Sequence, residues 1–203
     1  MKNIFLIALV SLFAFTSCNQ TKPVKTVENL KAGIKGETTA SAKYVAFAQK
    51  AREEGNDTIA KLFDAASKSE SIHAANHLKV LVGLGEVMDE FTPEFEVKTT
   101  AENLQAAIDG ESYEVATMYP QFIADAESEK VDKAVQSFSW ASDTEMKHQE
   151  FYTKALEALN ANLEKNLPFD YLVCPVCGNT YDKANADDQC AFCLTGKDKF
   201  IAI

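Results

Sequence analysis

Glu70-Ser-Ile-His73 recurs as Glu145-Met-Lys-His148, 75 residues further along the chain. Positions three apart on a helix share a face, so each quartet presents one carboxylate and one imidazole in the same direction. Both quartets lie on stripes that are otherwise apolar. One stripe reads Ile59, Phe63, Ala66, Glu70, His73, His77, Val80, Leu84, and the other Val131, Val135, Phe138, Ala141, Glu145, His148, Tyr152, Leu156. An amphipathic helix turns such a stripe toward the core. Charge placed there is tolerated only when it is paired or bound to a metal.

The surrounding sequence repeats as well. Asn29-Leu-Lys-Ala-Gly-Ile-Lys-Gly-Glu37 matches Asn103-Leu-Gln-Ala-Ala-Ile-Asp-Gly-Glu111 at an offset of 74. After one inserted residue the offset becomes 75, pairing Tyr44 with Tyr119, Phe47 with Phe122 and Phe63 with Phe138. A helical hairpin has been duplicated. The first helix carries Val27, Leu30, Ile34, Glu37, Ser41, Tyr44, Ala48 and Ala51 inward and stops at Gly55, after which Asp57 is placed to cap the second. Gly83 to Thr99, with Gly85 and Pro93, predicts a long crossover, and Thr99 with Glu102 predicts a capping box on helix three. That helix turns Leu104, Ile108, Glu111, Val115, Met118 and Phe122 inward, with a kink expected at Pro120. Trp140, Phe63 and Phe138 read as core. Two hairpins joined by one crossover give a mainly α, ferritin-like four-helix bundle over 26–166.

The bundle therefore brings together two copies of a half-site, Glu37 with Glu70 and His73, and Glu111 with Glu145 and His148. A Glu-x-x-His pair alone is common on solvated helix faces; two in register inside a repeat predict a two-metal, carboxylate-bridged site. Glu114 breaks the symmetry, because its counterpart falls near Ala40. It reads either as a surplus oxygen ligand that exchanges with a nitrogen during redox cycling, or as an outer or surface acid. Tyr44 and Tyr119 are placed to donate hydrogen bonds to the carboxylates and to serve as proton sources. His77 aligns with Tyr152 and reads as an end-of-stripe residue.

Pro168 and Phe169 mark a joint, and the helical period does not continue over 167–203. Cys174-Pro-Val-Cys177-Gly and Cys190-Ala-Phe-Cys193 flank a twelve-residue spacer there. Two disulfides are one reading. Paired Cys-x-x-Cys knuckles aim four thiolates at one ion, however, which favours iron or zinc. So short a segment cannot build an adequate core alone, and the metal substitutes for one.

At the amino end, Lys2 precedes an apolar run from Ile4 to Phe15 that is too short to span a bilayer as a helix. Residues 1–17 read as an export signal. Phe15-Thr-Ser-Cys18 reads as a lipobox that makes Cys18 a lipidated N-terminus, followed by a linker over 18–25; an ordinary signal with an incidental Cys18 is the alternative. A bacterial cell-envelope lipoprotein, facing the periplasm or the outside, follows. The net charge of −10, without any basic run, argues against nucleic acid as a partner.

Gly36-Glu37, Glu70-x-x-His73, Gly110-Glu111-x-x-Glu114, Met118-Tyr119-Pro120, Glu145-x-x-His148 and the spacing of Cys174, Cys177, Cys190 and Cys193 together resemble the rubrerythrins, over almost the whole chain from Thr26 to Ile203. The resemblance implies a non-haem di-iron peroxidase that reduces hydrogen peroxide, fed by a rubredoxin-type four-cysteine iron. It implies that Glu70 and Glu145 bridge, that Glu111 and His148 hold one iron, and that Glu37 holds the other, trading Glu114 for His73 on reduction. It also implies a head-to-tail homodimer in which one subunit's knuckle serves its partner's di-iron site. The electron donor, a reductase or a rubredoxin, is left open. Three departures stand out: Ala191 and Leu194 replace the usual Pro and Gly of the second knuckle, Asn179 replaces an aromatic ring and would open a cysteine to water, and the export signal is atypical. A ferroxidase or oxygen-reducing protein, or a redox sensor with structural zinc, are the competing functions.

Overall fold

The computed structural model describes residues 22–203, so the expected signal over 1–17 and Cys18 lie outside the described residues. Helices α1 (Val24–Glu53) and α2 (Asp57–Gly83) form the first hairpin. The tight reversal between them is closed by Gly55 at φ +81°, a conformation that glycine adopts without a side-chain clash. Asn56, rather than Asp57, holds the N-cap position of α2; Asp57 instead places an acid in the first turn, where the helix dipole favours it. Residues 84–99 cross over without regular structure. The capping box at Thr99 and Glu102 is formed, with Thr99 accepting from the Glu102 amide and Glu102 accepting from the Thr99 amide.

The second hairpin comprises α3 (Thr100–Tyr113), a π-helical turn over Glu114–Met118, α4 (Tyr119–Ser128) and α5 (Asp132–Ala161). The irregularity expected at Pro120 occurs one turn earlier. Pro120 lies in the first turn of α4, where a missing amide costs little. The π turn is the inserted residue of the repeat. Tyr44 follows Glu37 by seven residues, which on an α-helix returns to the same face, whereas Tyr119 follows Glu111 by eight. One wide turn absorbs the extra residue, so Tyr119 still points inward.

Two aromatic layers repeat with the sequence. Tyr44, Phe47 and Phe63 pack with Phe47–Phe63 centroids 5.4 Å apart, and Tyr119, Phe122 and Phe138 with Phe122–Phe138 at 5.3 Å. Tyr152 completes the first layer against Phe63, and His77 the second against Phe138. Each buried ring contributes roughly 1.5–3 kcal/mol. The ligand-type residues of all four long helices lie between these layers. Among the described residues, no helix is long and apolar enough to cross a membrane.

A single-turn 3-10 helix (Glu164–Asn166) leads to a small antiparallel sheet of order β2-β1-β3, with β1 at Tyr171–Val173, β2 at Thr180–Asp182 and β3 at Ile201–Ala202. Tyr171 and Val173 join the bundle core, while Leu172 and Tyr181 pack with Cys174, Cys177 and Cys190. Trp140, expected in the bundle core, is half-buried and packs against this second cluster instead.

Candidate metal centres

Glu37, Glu70, His73 and Glu145 place one ligand atom each within 4.8 Å of one another, and Glu70, Glu111, Glu145 and His148 do the same. Glu70 and Glu145 belong to both groups. All six side chains are at most 3% exposed. His73 Nδ1 lies 2.9 Å from Glu70 and 2.8 Å from Glu145; His148 Nδ1 lies 3.1 Å from Glu70 and 2.7 Å from Glu145. The groups are related by the repeat, each imidazole touching both shared carboxylates.

Hydrogen bonding does not account for this arrangement. Glu37 Oε2, Glu70 Oε1, both oxygens of Glu145 and His148 Nδ1 are buried and make no contact with hydrogen-bond geometry, although the imidazoles stand within ion-pair range of Glu70 and Glu145. Four carboxylates faced by two imidazoles leave surplus buried negative charge, which is costly, and these atoms converge on shared centres. Two cations coordinated by oxygen and imidazole nitrogen remove that cost. The residues present therefore fit a pair of transition-metal ions.

The metal-free electrostatics point the same way. Burial, and then the charges of Glu114, Glu145 and Glu70, push the Glu37 carboxyl well up; burial with Glu145 and Glu70 does the same to Glu111. For Glu70, burial is outweighed by His148 and His73, which hold it down at about 2. Glu114 is half-buried, sits at the start of the π turn and belongs to neither four-residue group. Burial and the charges of Glu145 and Glu70 push it up to about 8.

The two tyrosines cross over between the halves. Tyr44 of α1 donates to Glu111 of α3 at 2.6 Å, and Tyr119 of α4 donates through a short hydrogen bond to Glu37 of α1. His77 lies 3.2 Å from the Tyr119 hydroxyl by Nε2 and 2.7 Å from Ser137 Oγ by Nδ1. Burial and the nearby His73 push His77 down to about 3, so it is neutral. With Tyr119 donating to Glu37, the consistent order is Ser137 to His77 Nδ1, His77 Nε2–H to Tyr119, and Tyr119 to Glu37. The other half lacks this chain, because Tyr152 replaces His77 and its hydroxyl has no partner.

Cys174, Cys177, Cys190 and Cys193 form a third group with sulfurs within 4.8 Å of one another. The Cys174–Cys193 and Cys177–Cys190 separations of 3.4 and 3.3 Å exceed the ~2.05 Å of a disulfide, which leaves the donor set of a tetrahedral thiolate site. Gly178 and Leu194 hold equivalent turn positions, with φ +86° and +60°. The knuckle thus keeps its shape at Leu194 despite the missing glycine, at a cost of roughly 1–2 kcal/mol. Asn179, expected to admit water, does not: it is fully buried, as are Cys177 and Cys190. Its amide donates to the Tyr181 hydroxyl at 2.7 Å and to Cys190 Sγ at 3.7 Å.

The first knuckle lies directly on the carboxylate site of its own chain. Ser69 Oγ donates to the Gly178 carbonyl at 2.7 Å, His148 Nε2 meets Thr180 Oγ1 at 2.9 Å, and Asn76 donates to the Val176 carbonyl at 2.8 Å. A Cβ at Gly178 would collide with the His73 imidazole. The outer nitrogens of both imidazoles are thus covered by the knuckle, in the position where the resemblance implied a partner's knuckle. Ser69, Thr180, Lys147 and Asn76 carry no motif and are placed by this docking, which local periodicity does not encode.

The chain matches the rubrerythrin family over residues 28–156. It is 37% identical over 198 residues to nigerythrin of Nitratidesulfovibrio vulgaris (strain Hildenborough), covering 94% of this chain and 92% of that one. It is 32% identical over 189 residues to rubrerythrin-2 of Clostridium acetobutylicum, covering 89% and 98%. A solved structure described as the fully reduced, all-ferrous state of nigerythrin superposes with a TM-score of 0.79 at 32% identity, covering 100% of both chains.

Proposed function

Because the chain belongs to the rubrerythrin family, we propose that this di-iron protein is a peroxidase that reduces hydrogen peroxide to water, with electrons delivered from iron held by Cys174, Cys177, Cys190 and Cys193. The observation that carries this reading is the contact between a four-thiolate knuckle and a buried, doubly shared carboxylate site. Oxidative loading of an iron store, in which ferrous iron is itself the electron source, needs no such donor.

When bound, two irons supply the two electrons that cleave the O–O bond, and two protons complete two waters. Glu70 and Glu145 would bridge the ions, Glu111 and His148 would hold one, and Glu37 with His73 the other, Glu114 serving as the exchangeable oxygen ligand. Tyr44 and Tyr119 fix the orientation of Glu111 and Glu37 and hold protons at their hydroxyls beside the site. The His77 chain holds Tyr119 in the donor orientation. The aromatic layers exclude water above and below. Iron held by the four cysteines would supply electrons to the carboxylate site, after uptake from a reductase or a rubredoxin; the contact here would serve that transfer within one chain, and a head-to-tail homodimer would make it to the partner's site. At the amino end, lipidated Cys18 would anchor the protein in the cell envelope, which mass spectrometry of the mature N-terminus tests.

Anaerobic stopped-flow tests the activity. The reduced, iron-loaded protein should be reoxidised at both centres by hydrogen peroxide faster than by oxygen. Faster reoxidation by oxygen would transfer the assignment to an oxidase or ferroxidase, and a colourless knuckle containing zinc would favour a sensor.

A further inference from the structure

Lys147 lies on α5 beside His148, yet its side chain leaves the bundle for the knuckle domain. Its ammonium donates to Asn179 Oδ1 at 2.7 Å and stands over the rings of Tyr181 and Phe192, 4.5 and 4.8 Å from their centroids. Half-buried, it has no carboxylate in salt-bridge contact among the described residues. The same Asn179 amide donates toward Cys190 Sγ at 3.7 Å. A positive charge is therefore relayed through one oriented amide onto a thiolate ligand.

We propose that Lys147 is a positioning residue for electron uptake, which acts through Asn179 to raise the reduction potential of the four-cysteine iron. An iron bound by four thiolates carries one net negative charge when ferric and two when ferrous, so a fixed neighbouring cation stabilises the reduced form. Little water competes, because Asn179, Cys177 and Cys190 are all fully buried. The ring faces of Tyr181 and Phe192 hold the ammonium without neutralising it. The proposal rests on iron in the knuckle and not on peroxide as the oxidant, so its failure and the failure of the peroxidase reading are separable.

The test is spectroelectrochemical titration of the visible thiolate-to-iron absorption in the iron-loaded full chain. Lys147→Met should shift the reduction equilibrium at least tenfold toward ferric, a fall of ~59 mV per tenfold for one electron. Asn179→Asp, which sets a carboxylate against the ammonium, should shift it in the same direction and serves if the first variant loads iron poorly. Lys147→Arg should stay within threefold of the parent. Mere loosening of the knuckle would admit water and favour the more charged ferrous form, giving a rise instead. A rise in either variant, or a fall smaller than tenfold in both, overturns the proposal.

Discussion

Glu70 and Glu145 stand out among individual residues because each belongs to both ligand groups. Glu70→Ala should therefore remove both bundle irons together, whereas Glu37→Ala should leave at least the ion beside Glu111 and His148; iron per chain, corrected for the knuckle iron, distinguishes the two. Proton linkage gives a second expectation, for the metal-stripped chain. Burial alone would depress His73, but Glu145 and Glu70 outweigh it and raise it from 6.5 to about 9. The stability this confers is complete below pH 6.5 and lost as pH rises through about 9. Glu37 and Glu111, raised by burial, bind protons more readily folded than unfolded and act in the same direction. The stripped chain should thus melt at lower temperature near pH 9 than near pH 6.5, while the loaded chain, whose ligands are already deprotonated, should not. At this scale the six ligand-type residues are legible in the sequence, since an acid on an oily stripe is stable only where a metal or an opposite charge meets it. The role of Asn179 is not legible, because it depends on Tyr181, Lys147 and Cys190, three partners that spacing does not bring together.

At the scale of elements, the one-residue slip in the internal repeat and the π turn at Glu114–Met118 are the same fact. The slip is visible in the sequence as a change of offset from 74 to 75, but Pro120, the residue with the familiar reputation, draws the expected irregularity to itself. Deleting Ala116, an exposed residue of that turn, should convert it to ordinary α-helix and bring Tyr119 one residue closer to Glu111 along the chain. Because the turn only absorbs the extra residue, the deletion should leave α4 in register, a seven-residue spacing returning Tyr119 to the face it already occupies. Tyr119 should keep its hydrogen bond to Glu37, and the melting temperature should move by less than ~2–4 °C, the shift that one kcal/mol gives. A larger fall together with loss of iron would show that the wide turn itself is needed to hold the site. The capping box at Thr99 and the stop at Gly55 follow local rules and are readable; the Asn56 N-cap differs by one residue, the usual scatter of helix ends.

Across the whole molecule, the bundle and the knuckle are each legible from their motifs, but their docking is not. It depends on contacts such as Ser69 to Gly178 and His148 to Thr180, made through residues such as Ser69 and Thr180 that belong to no motif. Gly178→Ala should disturb it at a single point, combining a collision with His73 and an unfavourable positive φ, at a cost of roughly 1–3 kcal/mol. Hydrogen exchange at the knuckle amides should accelerate accordingly. A complementation experiment asks whether the contact is made within a chain or by exchange between chains. If it is internal, a Cys174→Ser chain mixed and refolded with a Glu70→Ala chain should recover no peroxide turnover. Recovery of a substantial part of the parent rate would show that knuckles are exchanged in a dimer.

The seal formed by Gly178 and Thr180 over the two imidazoles also bears on how the protein matures. A polypeptide that emerges amino end first, from the ribosome or from an export pore, presents α1 to α5 before the sealing segment, so the interior can be metallated while its mouth is open. A circular permutant that began with the sealing segment would reverse that order, and its bundle should fill with iron more slowly at the same final occupancy.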